Sequence, residues 1–217
     1  MAFGNGPRIL TNGLVDAYCS ADLNSYPGTG GTWYSLINKA TSPGNPSWAN
    51  DITQITIQVW LQKVSAGTGY ANHPINKWNS NYNVNASFIL YHFENYLGND
   101  ADGFFNWYGY TTNNGWTGIA DSYGAYRLSV GQIANIVLQY NVNNGGGQCW
   151  LNGAKLNGRV GVTGILGPTS SATGDIGIYG PSAAGTSQVR EVYFYNRELS
   201  DDEIIANYNS TKSRYGL

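Results

Sequence analysis

The sequence has few charged residues and no long apolar run. Charged residues make up only 11% of the chain, and its 11 Lys and Arg residues are scattered from Arg8 to Arg214. A scattered set cannot neutralise a run of phosphates, so nucleic acid is not an expected partner. No apolar run approaches the roughly 20 residues that a membrane helix needs, and the first ten residues lack the apolar core of a secretion signal. We therefore expect a soluble protein that is made in a cytoplasm and has no membrane partner.

Cysteine, histidine and glutamate are scarce, and this limits the chemistry that the chain can perform. Cys19 and Cys149 are too few for a disulfide framework and have no metal-ligand spacing, so we expect reduced, buried thiols. None of the four Glu residues lies two positions from another acidic residue in a predicted strand, so the carboxylate pair of a glucanase-type site is missing. His73 and His92 have no recognisable nucleophile or carboxylate beside them and are expected to be structural. We predict no catalytic residues and a protein that is not an enzyme.

The residues that are abundant favour strands and tight turns. The chain contains 29 Gly and 17 Tyr; Gly accepts the positive φ of tight turns, and aromatic residues favour strands. The clearest strand is Thr53–Lys63, in which apolar and polar residues alternate strictly. Trp60 interrupts its polar face, which indicates that another part of the chain covers that face.

The same alternation predicts further strands along the whole chain, joined by turns. Asn152-Gly153 lies between two of them and indicates a hairpin, whereas Ser65–Asn85, rich in Gly and Asn, is expected to be a long loop. Many short strands without intervening helices predict an all-β fold of two antiparallel sheets, in one domain that spans residues 1–217. The further predicted strands are Gly13–Cys19, Ala86–Glu94, Gly103–Tyr110, Tyr126–Val130, Ala134–Tyr140, Gln148–Leu151, Lys155–Val160, Asp175–Tyr179 and Val189–Tyr195.

One helix is expected, at about residues 200–213. Ser200 and Glu203 form a capping box, in which each side chain satisfies one backbone N–H at the helix start. Gly216 is placed to end the helix. We expect the helix to pack against the sandwich through an apolar stripe formed by Ile204, Ile205, Tyr208 and Tyr215.

One segment combines aromatic rings with amides and is the candidate binding site. Its candidate residues are Tyr108, Tyr110, Asn113, Asn114 and Trp116. Rings that stack on sugar faces and amides that bond to hydroxyls suit a glycan site, and the same rings could anchor a protein interface. Alternation along a strand would instead turn half of the segment's rings into the core.

A second candidate site is a calcium loop. Asp100 and Asp102, followed by Gly103, have the alternating oxygen ligands and the turn glycine of such a loop. Thr111 stands where a bidentate Glu would be needed, so an acidic turn between strands is the simpler interpretation. Calcium is the only cofactor that the sequence suggests, and no feature of the sequence requires a cofactor.

Three segments together resemble one family. They are the opening Gly6–Val15 with Asn24–Tyr34, the hairpin at Leu151-Asn152-Gly153, and the ending from Val189 to Gly216. These segments are similar to laminin-G-like, concanavalin A-like jelly-roll domains of virion proteins of tailed bacteriophages, especially those that infect cyanobacteria. At Ser35 that family usually has Asp.

The resemblance implies a function and partners. It implies a non-enzymatic structural protein on the virion surface, either a capsid decoration or cement subunit or a small fibre or tail subunit. Such a subunit would contact major capsid or tail proteins and would be expected to form a homo-oligomer. The alternative is a lectin-like adhesin that recognises a host surface glycan through the aromatic segment.

Overall fold

The chain forms two antiparallel sheets packed face to face and one short helix. The computed structural model describes residues 9–19, 45–65, 72–77, 87–93, 104–121, 128–156, 158–168, 176–178 and 187–217. Within them lie eleven strands and one α-helix, and every strand pair is antiparallel. The predicted all-β, two-sheet sandwich with a C-terminal helix is confirmed.

The larger sheet has six strands and the smaller has five. In spatial order the larger sheet contains β1 (Leu14–Cys19), β11 (Ser187–Tyr195), β2 (Gln54–Lys63), β7 (Ile133–Asn141), β8 (Gly146–Leu151) and β9 (Ala154–Lys155). The smaller sheet contains β10 (Ile176–Ile178), β3 (Asn72–Lys77), β4 (Phe88–Phe93), β5 (Phe104–Thr111) and β6 (Gly115–Asp121).

The main core lies between the two sheets and follows the alternation read from the sequence. Ile57 and Val59 of β2 are fully buried there, as are Leu90 of β4 and Trp107 of β5. Because side chains alternate across a strand, the neighbours of these residues project from the two outer faces. The two outer faces therefore decide what the domain can bind.

The outer face of the six-stranded sheet is covered by the C-terminal segment. Trp60 of β2 is fully buried, and its ring lies 5.8 Å from Tyr208 and 4.5 Å from Tyr215, measured between centroids. Its Nε1 donates a hydrogen bond of 3.0 Å to Thr211 Oγ1. The prediction that another part of the chain covers this face at Trp60 is confirmed.

Polar residues of that outer face are buried and hydrogen-bonded within the domain. Thr56 Oγ1 accepts a bond of 2.9 Å from the Leu199 amide and donates one of 3.0 Å to the Arg197 carbonyl. Gln58 Nε2 donates to Asn135 Oδ1 at 3.0 Å. Buried polar groups need such partners because an unmade bond costs about 1–3 kcal/mol. Thr56 therefore attaches the C-terminal segment to β2, whereas Gln58 joins β2 to β7 and its Oε1 is buried without a hydrogen-bond partner.

The helix itself begins and ends where the sequence predicts. Helix α1 (Asp201–Thr211) has Ser200 as its N-cap with a complete capping box to Glu203, and a 3₁₀ turn follows up to Gly216, whose φ is 73°. The expected apolar stripe is wrong at Ile205, which is 38% exposed. The buried side of α1 instead includes Asn207, whose Nδ2 donates to Tyr195 Oη at 2.9 Å. In the described part of the chain, no helix is long and apolar enough to cross a bilayer.

Several strand predictions need correction. The expected loop Ser65–Asn85 contains β3, and β6 was not expected at all. Of the predicted strand Lys155–Val160, Lys155 is the one described residue that lies in a strand, at the end of β9, and residue 157 lies outside the described residues. Residues 128–130 of the predicted strand Tyr126–Val130 form no strand, and residues 126 and 127 lie outside the described residues.

Two local predictions concern the hairpin and the cysteines. Asn152 and Gly153 have φ values of 49° and 77°, which confirms the predicted tight hairpin between β8 and β9. Cys19 and Cys149 form no disulfide. Cys149 is buried as expected, whereas Cys19 is only half-buried.

The two sheets approach each other closely where β6 crosses β8. A Cβ added to Gly147 of β8 would lie 1.7 Å from the carbonyl oxygen of Ile119 in β6. Only glycine allows this approach of one backbone to another. Beside it, β6 has a bulge: Trp107 pairs with Ala120 and Tyr108 pairs with Gly118, so Ile119 has no partner position on β5. The bulge determines which residues of β6 share a face with Tyr108.

Candidate functional site

The alternation on β5 separates core residues from outer-face residues. Phe105 and Trp107 are fully buried in the main core. Asn106, Tyr108 and Tyr110, at the alternate positions, are half-buried. The structure therefore places Tyr108 and Tyr110 on the outer face of the five-stranded sheet, which the sequence alone left undecided.

The neighbouring strand adds a third ring to this face. Tyr110 stands directly opposite Trp116 of β6, and the rings of Tyr108 and Trp116 are stacked, with centroids 5.7 Å apart and planes 23° from parallel. Trp116 is also half-buried. We call Tyr108, Tyr110 and Trp116 the aromatic platform. Nearly parallel, partly exposed rings of this kind offer flat apolar faces to a ligand.

Gly118 provides the space in which Tyr108 lies. Its strand position is opposite Tyr108, and a Cβ there would be 3.9 Å from Cε1 and Cζ of the Tyr108 ring. An aromatic ring that leans over a glycine on the facing strand protects the exposed backbone and is held by it. Gly118 therefore helps to fix the position of the platform.

Asn106 lies beside the platform and has an unusual amide. A Cβ on Gly118 would be 3.7 Å from Asn106 Oδ1, so both this oxygen and the Tyr108 ring border the same glycine. The oxygen is buried and has no hydrogen-bond partner. Most buried polar atoms do have a partner, and a missing one costs about 1–3 kcal/mol. Sequence analysis missed Asn106, although the alternation that includes Tyr108 and Tyr110 would have placed it on the same face.

The two other candidate amides belong to the turn between β5 and β6. Asn113 Nδ2 donates to Thr163 Oγ1 at 3.3 Å, and Asn114 Oδ1 accepts from the Thr163 amide at 3.3 Å. Next to them, Thr112 Oγ1 accepts from the Ile165 amide at 3.0 Å. Asn113 and Asn114 therefore attach the segment around Thr163 to the end of the hairpin, and their part in ligand binding stays a prediction.

The outer face around the platform includes a position with a carboxylate. The outer positions given by the strand register include Asn76, Ile89, Tyr91, Asn106, Tyr108, Tyr110, Trp116, Gly118, Asp121 and Gly177. Asp121 is paired with Asn106 and is the charged residue among them, and Ile89 is fully buried. An anionic ligand would need a cation or several strong donors to replace its water, so these positions suit a neutral ligand better than an anionic one.

The predicted calcium residues cannot be placed. Asp100 and Asp102 lie outside the described residues, so the calcium loop stays a prediction. Among the residues that the structure describes, no group of three or more His, Cys, Asp and Glu side chains could hold a metal ion. His73 lies on β3, where burial lowers its pKa below the ordinary value of 6.5, so its ring is neutral at pH 7.

Comparison with known proteins identifies the fold. No family model matches the sequence, and no curated protein matches it. A Trypanosoma rangeli sialidase in complex with 2,3-difluoro-KDN matches with a TM-score of 0.62 and 15% identity, over 94% of this chain and 33% of that chain. Domain 4 of AbnA, a GH43 extracellular arabinanase from Geobacillus stearothermophilus, in complex with arabinotriose, matches with a TM-score of 0.55 and 13% identity, over 90% of this chain and 98% of that one. Both share the β-sandwich.

These likenesses show the fold and differ in how much of the other protein they cover. The chain spans about a third of the length of the sialidase chains that it matches. A second T. rangeli sialidase matches with a TM-score of 0.60 and 15% identity, and the match covers 34% of that sialidase chain. It spans nearly the whole of the arabinanase domain. The unit described here therefore corresponds in size to one domain of a larger carbohydrate-active protein.

The prediction that this protein is not an enzyme is contradicted. Solved chains that share its fold include sialidases and a domain of a GH43 arabinanase, which are glycoside hydrolases. The prediction rested on the missing carboxylate pair within these 217 residues.

The virion role that the family resemblance implied is not supported by these comparisons. The comparisons confirm the β-sandwich. The names of the sialidase and of the arabinanase domain describe proteins that act on or bind carbohydrates. A phage origin, a position on the virion surface, contacts with capsid or tail proteins and self-association stay predictions. The comparisons fit the alternative, glycan binding, better than the structural role.

Proposed function

We propose that this domain binds a neutral glycan on the outer face of its five-stranded sheet, through the aromatic platform. The observation that carries the proposal is the stacked pair of Tyr108 and Trp116, whose rings are half-buried and lie 5.7 Å apart. The arabinanase domain in complex with arabinotriose, of which this chain covers 98%, supports the same class of ligand.

The chemistry of the face favours sugar over a protein partner. The C–H groups of a sugar ring pack on an aromatic face, while its hydroxyls need polar partners beside that face. Two stacked rings with an amide next to them provide both. The outer positions favour a neutral sugar over an acidic one, because they include Asp121 and no described cation that would pair with a sialic or uronic acid.

Trp116→Ala tests the proposal directly. Isothermal titration with arabinotriose, xylotriose, cellotriose and maltotriose, preceded by a glycan array, would identify the sugars bound by the wild type. We expect Trp116→Ala and Tyr108→Ala to weaken binding at least tenfold, since a central aromatic contact is worth about 2 kcal/mol or more. The matched control is Ile205→Ala, because Ile205 is 38% exposed on α1, over the opposite sheet.

Two results would contradict the proposal. One is a wild-type protein that binds no sugar on the array. The other is a folded Trp116→Ala variant that binds the same sugars as the wild type with the same affinity. A preference for sialylated sugars would keep glycan binding and overturn the neutral class.

A further inference from the structure

We propose that Asn106 determines which sugar is bound, by accepting a hydrogen bond from a hydroxyl of the sugar stacked on Tyr108. This inference rests on the proposed function and makes it more specific. The ligand class is a neutral sugar with a free hydroxyl at the edge of the stacked ring, on the side of β5 that lies toward Asn106.

The first step of the argument is the missing hydrogen bond. Asn106 Oδ1 is buried and has no partner, whereas the other amides described near this sheet have one. Asn76 Nδ2 donates to the His73 carbonyl at 3.4 Å, and Asn113 and Asn114 bond to Thr163. A ligand hydroxyl would satisfy the Asn106 oxygen and relieve its cost, so this position gains from ligand binding more than an already bonded amide does.

The second step is the position of that oxygen. Asn106 and Tyr108 are two residues apart on β5, so their Cα atoms are about 7 Å apart on the same face. Asn106 Oδ1 and the Tyr108 ring both lie over Gly118, at 3.7 and 3.9 Å from where its Cβ would be. The acceptor therefore lies on the same face of β5 as the ring on which the sugar would stack, at the next outer position along the strand.

The third step is access. The Asn106 side chain as a whole is half-buried, although its oxygen is not exposed. The terminal torsion of an asparagine is soft and roughly two-fold. The amide can therefore turn its oxygen toward the ligand without any change in the backbone of β5.

Asn106→Leu separates this role from a structural one. Leucine has a similar shape and removes the buried acceptor, so we expect the melting temperature to stay the same or rise. We expect sugar binding to weaken about two- to tenfold, the fold-change of one lost neutral hydrogen bond. Asn106→Gln keeps an amide acceptor without adding a charge opposite Asp121, and it is expected to bind more tightly than Asn106→Leu. Ile205→Ala is the control, because Ile205 lies on α1, over the opposite sheet.

The titrations use the same four trisaccharides as the test of the proposed function. If Trp116→Ala loses binding while Asn106→Leu and Asn106→Ala bind as the wild type does, the inference about Asn106 is wrong and the glycan site stands. If the wild type binds no sugar, both fail. If Asn106→Leu does not fold, the comparison of Asn106→Ala with Asn106→Gln decides, and equal affinities for the two overturn the inference.

Discussion

Two glycines, Gly118 within β6 and Gly147 of β8 packed against β6, should respond in opposite ways to the addition of one methyl group. In Gly118→Ala the new Cβ would lie 3.7 Å from Asn106 Oδ1 and 3.9 Å from the Tyr108 ring, which are ordinary contacts. A strand glycine is about 0.5–1 kcal/mol less favourable than alanine. We therefore expect Gly118→Ala to stabilise the domain by about that amount, which raises the melting temperature by about 1–4 °C for a domain of this size.

In Gly147→Ala the same methyl group has no space. Its Cβ would lie 1.7 Å from the Ile119 carbonyl oxygen and 2.7 Å from the carbonyl carbon, so the backbone of β6 must move. Overpacking costs about 1–3 kcal/mol even when side chains can adjust, and here a backbone must adjust. We expect a loss of at least about 3 kcal/mol, and weaker sugar binding because Trp116 moves with β6.

Urea denaturation and thermal melts of the two variants measure the difference, and titration with the bound trisaccharide measures the site. Gly118→Ala should bind sugar as the wild type does, because the methyl group lies between the Tyr108 ring and the sheet. The reasoning is refuted if Gly147→Ala is as stable as the wild type, or if Gly118→Ala is destabilised by a similar amount. Either result would mean that β6 does not lie against β8 as described.

Three further predictions concern charges and protons. Arg214→Ala removes the cation that lies 2.8 Å from the buried Glu191 carboxylate, so urea denaturation should show a loss of about 2–3 kcal/mol in the free energy of unfolding. This loss is smaller than the usual cost of a broken buried ion pair, because the Arg214 side chain is 34% exposed. Burial raises the pKa of Tyr140 from 10.0 to about 12, so wild-type stability should fall as pH rises from about 10 to 12, and Tyr140→Phe melts at pH 9 and 11 should show a smaller fall. Hydrogen bonds from Arg197 lower the pKa of Glu203 from 4.5 to about 2. The pair therefore stabilises the domain fully above pH 4.5, and this stabilisation is lost as the pH falls towards 2. Between pH 6 and 3, the melting temperature of Glu203→Gln should fall less than that of the wild type.

The parts of the fold that the sequence predicts well are those specified locally. Strand β2 follows from strict alternation, and the start of α1 follows from the capping box at Ser200. The position of the covered face was also readable, since Trp60 stands where a polar residue would be expected. These features depend on residues within a few positions of each other.

The parts that were missed depend on distant pairs. Strand β6 has glycines at two of its seven positions and a bulge, so it shows no alternation. Asn113 and Asn114 have suitable chemistry for a site, but their partner Thr163 lies about 50 residues further along the chain. Likewise, the value of Asn106 depends on a missing partner, and no local pattern reports a bond that is not made.

The C-terminal segment gives the sandwich two unlike sides. Helix α1 and the turn after it lie over the six-stranded sheet, so Leu217, which is 50% exposed, emerges from the side opposite the aromatic platform. The two sheets are about 10 Å apart, so a linker attached at Leu217 would leave the sugar-binding side facing away from the support. Domains immobilised in this way would present their platforms outward in parallel, and a surface coated with them could hold a long polysaccharide at many points even if each single contact is weak.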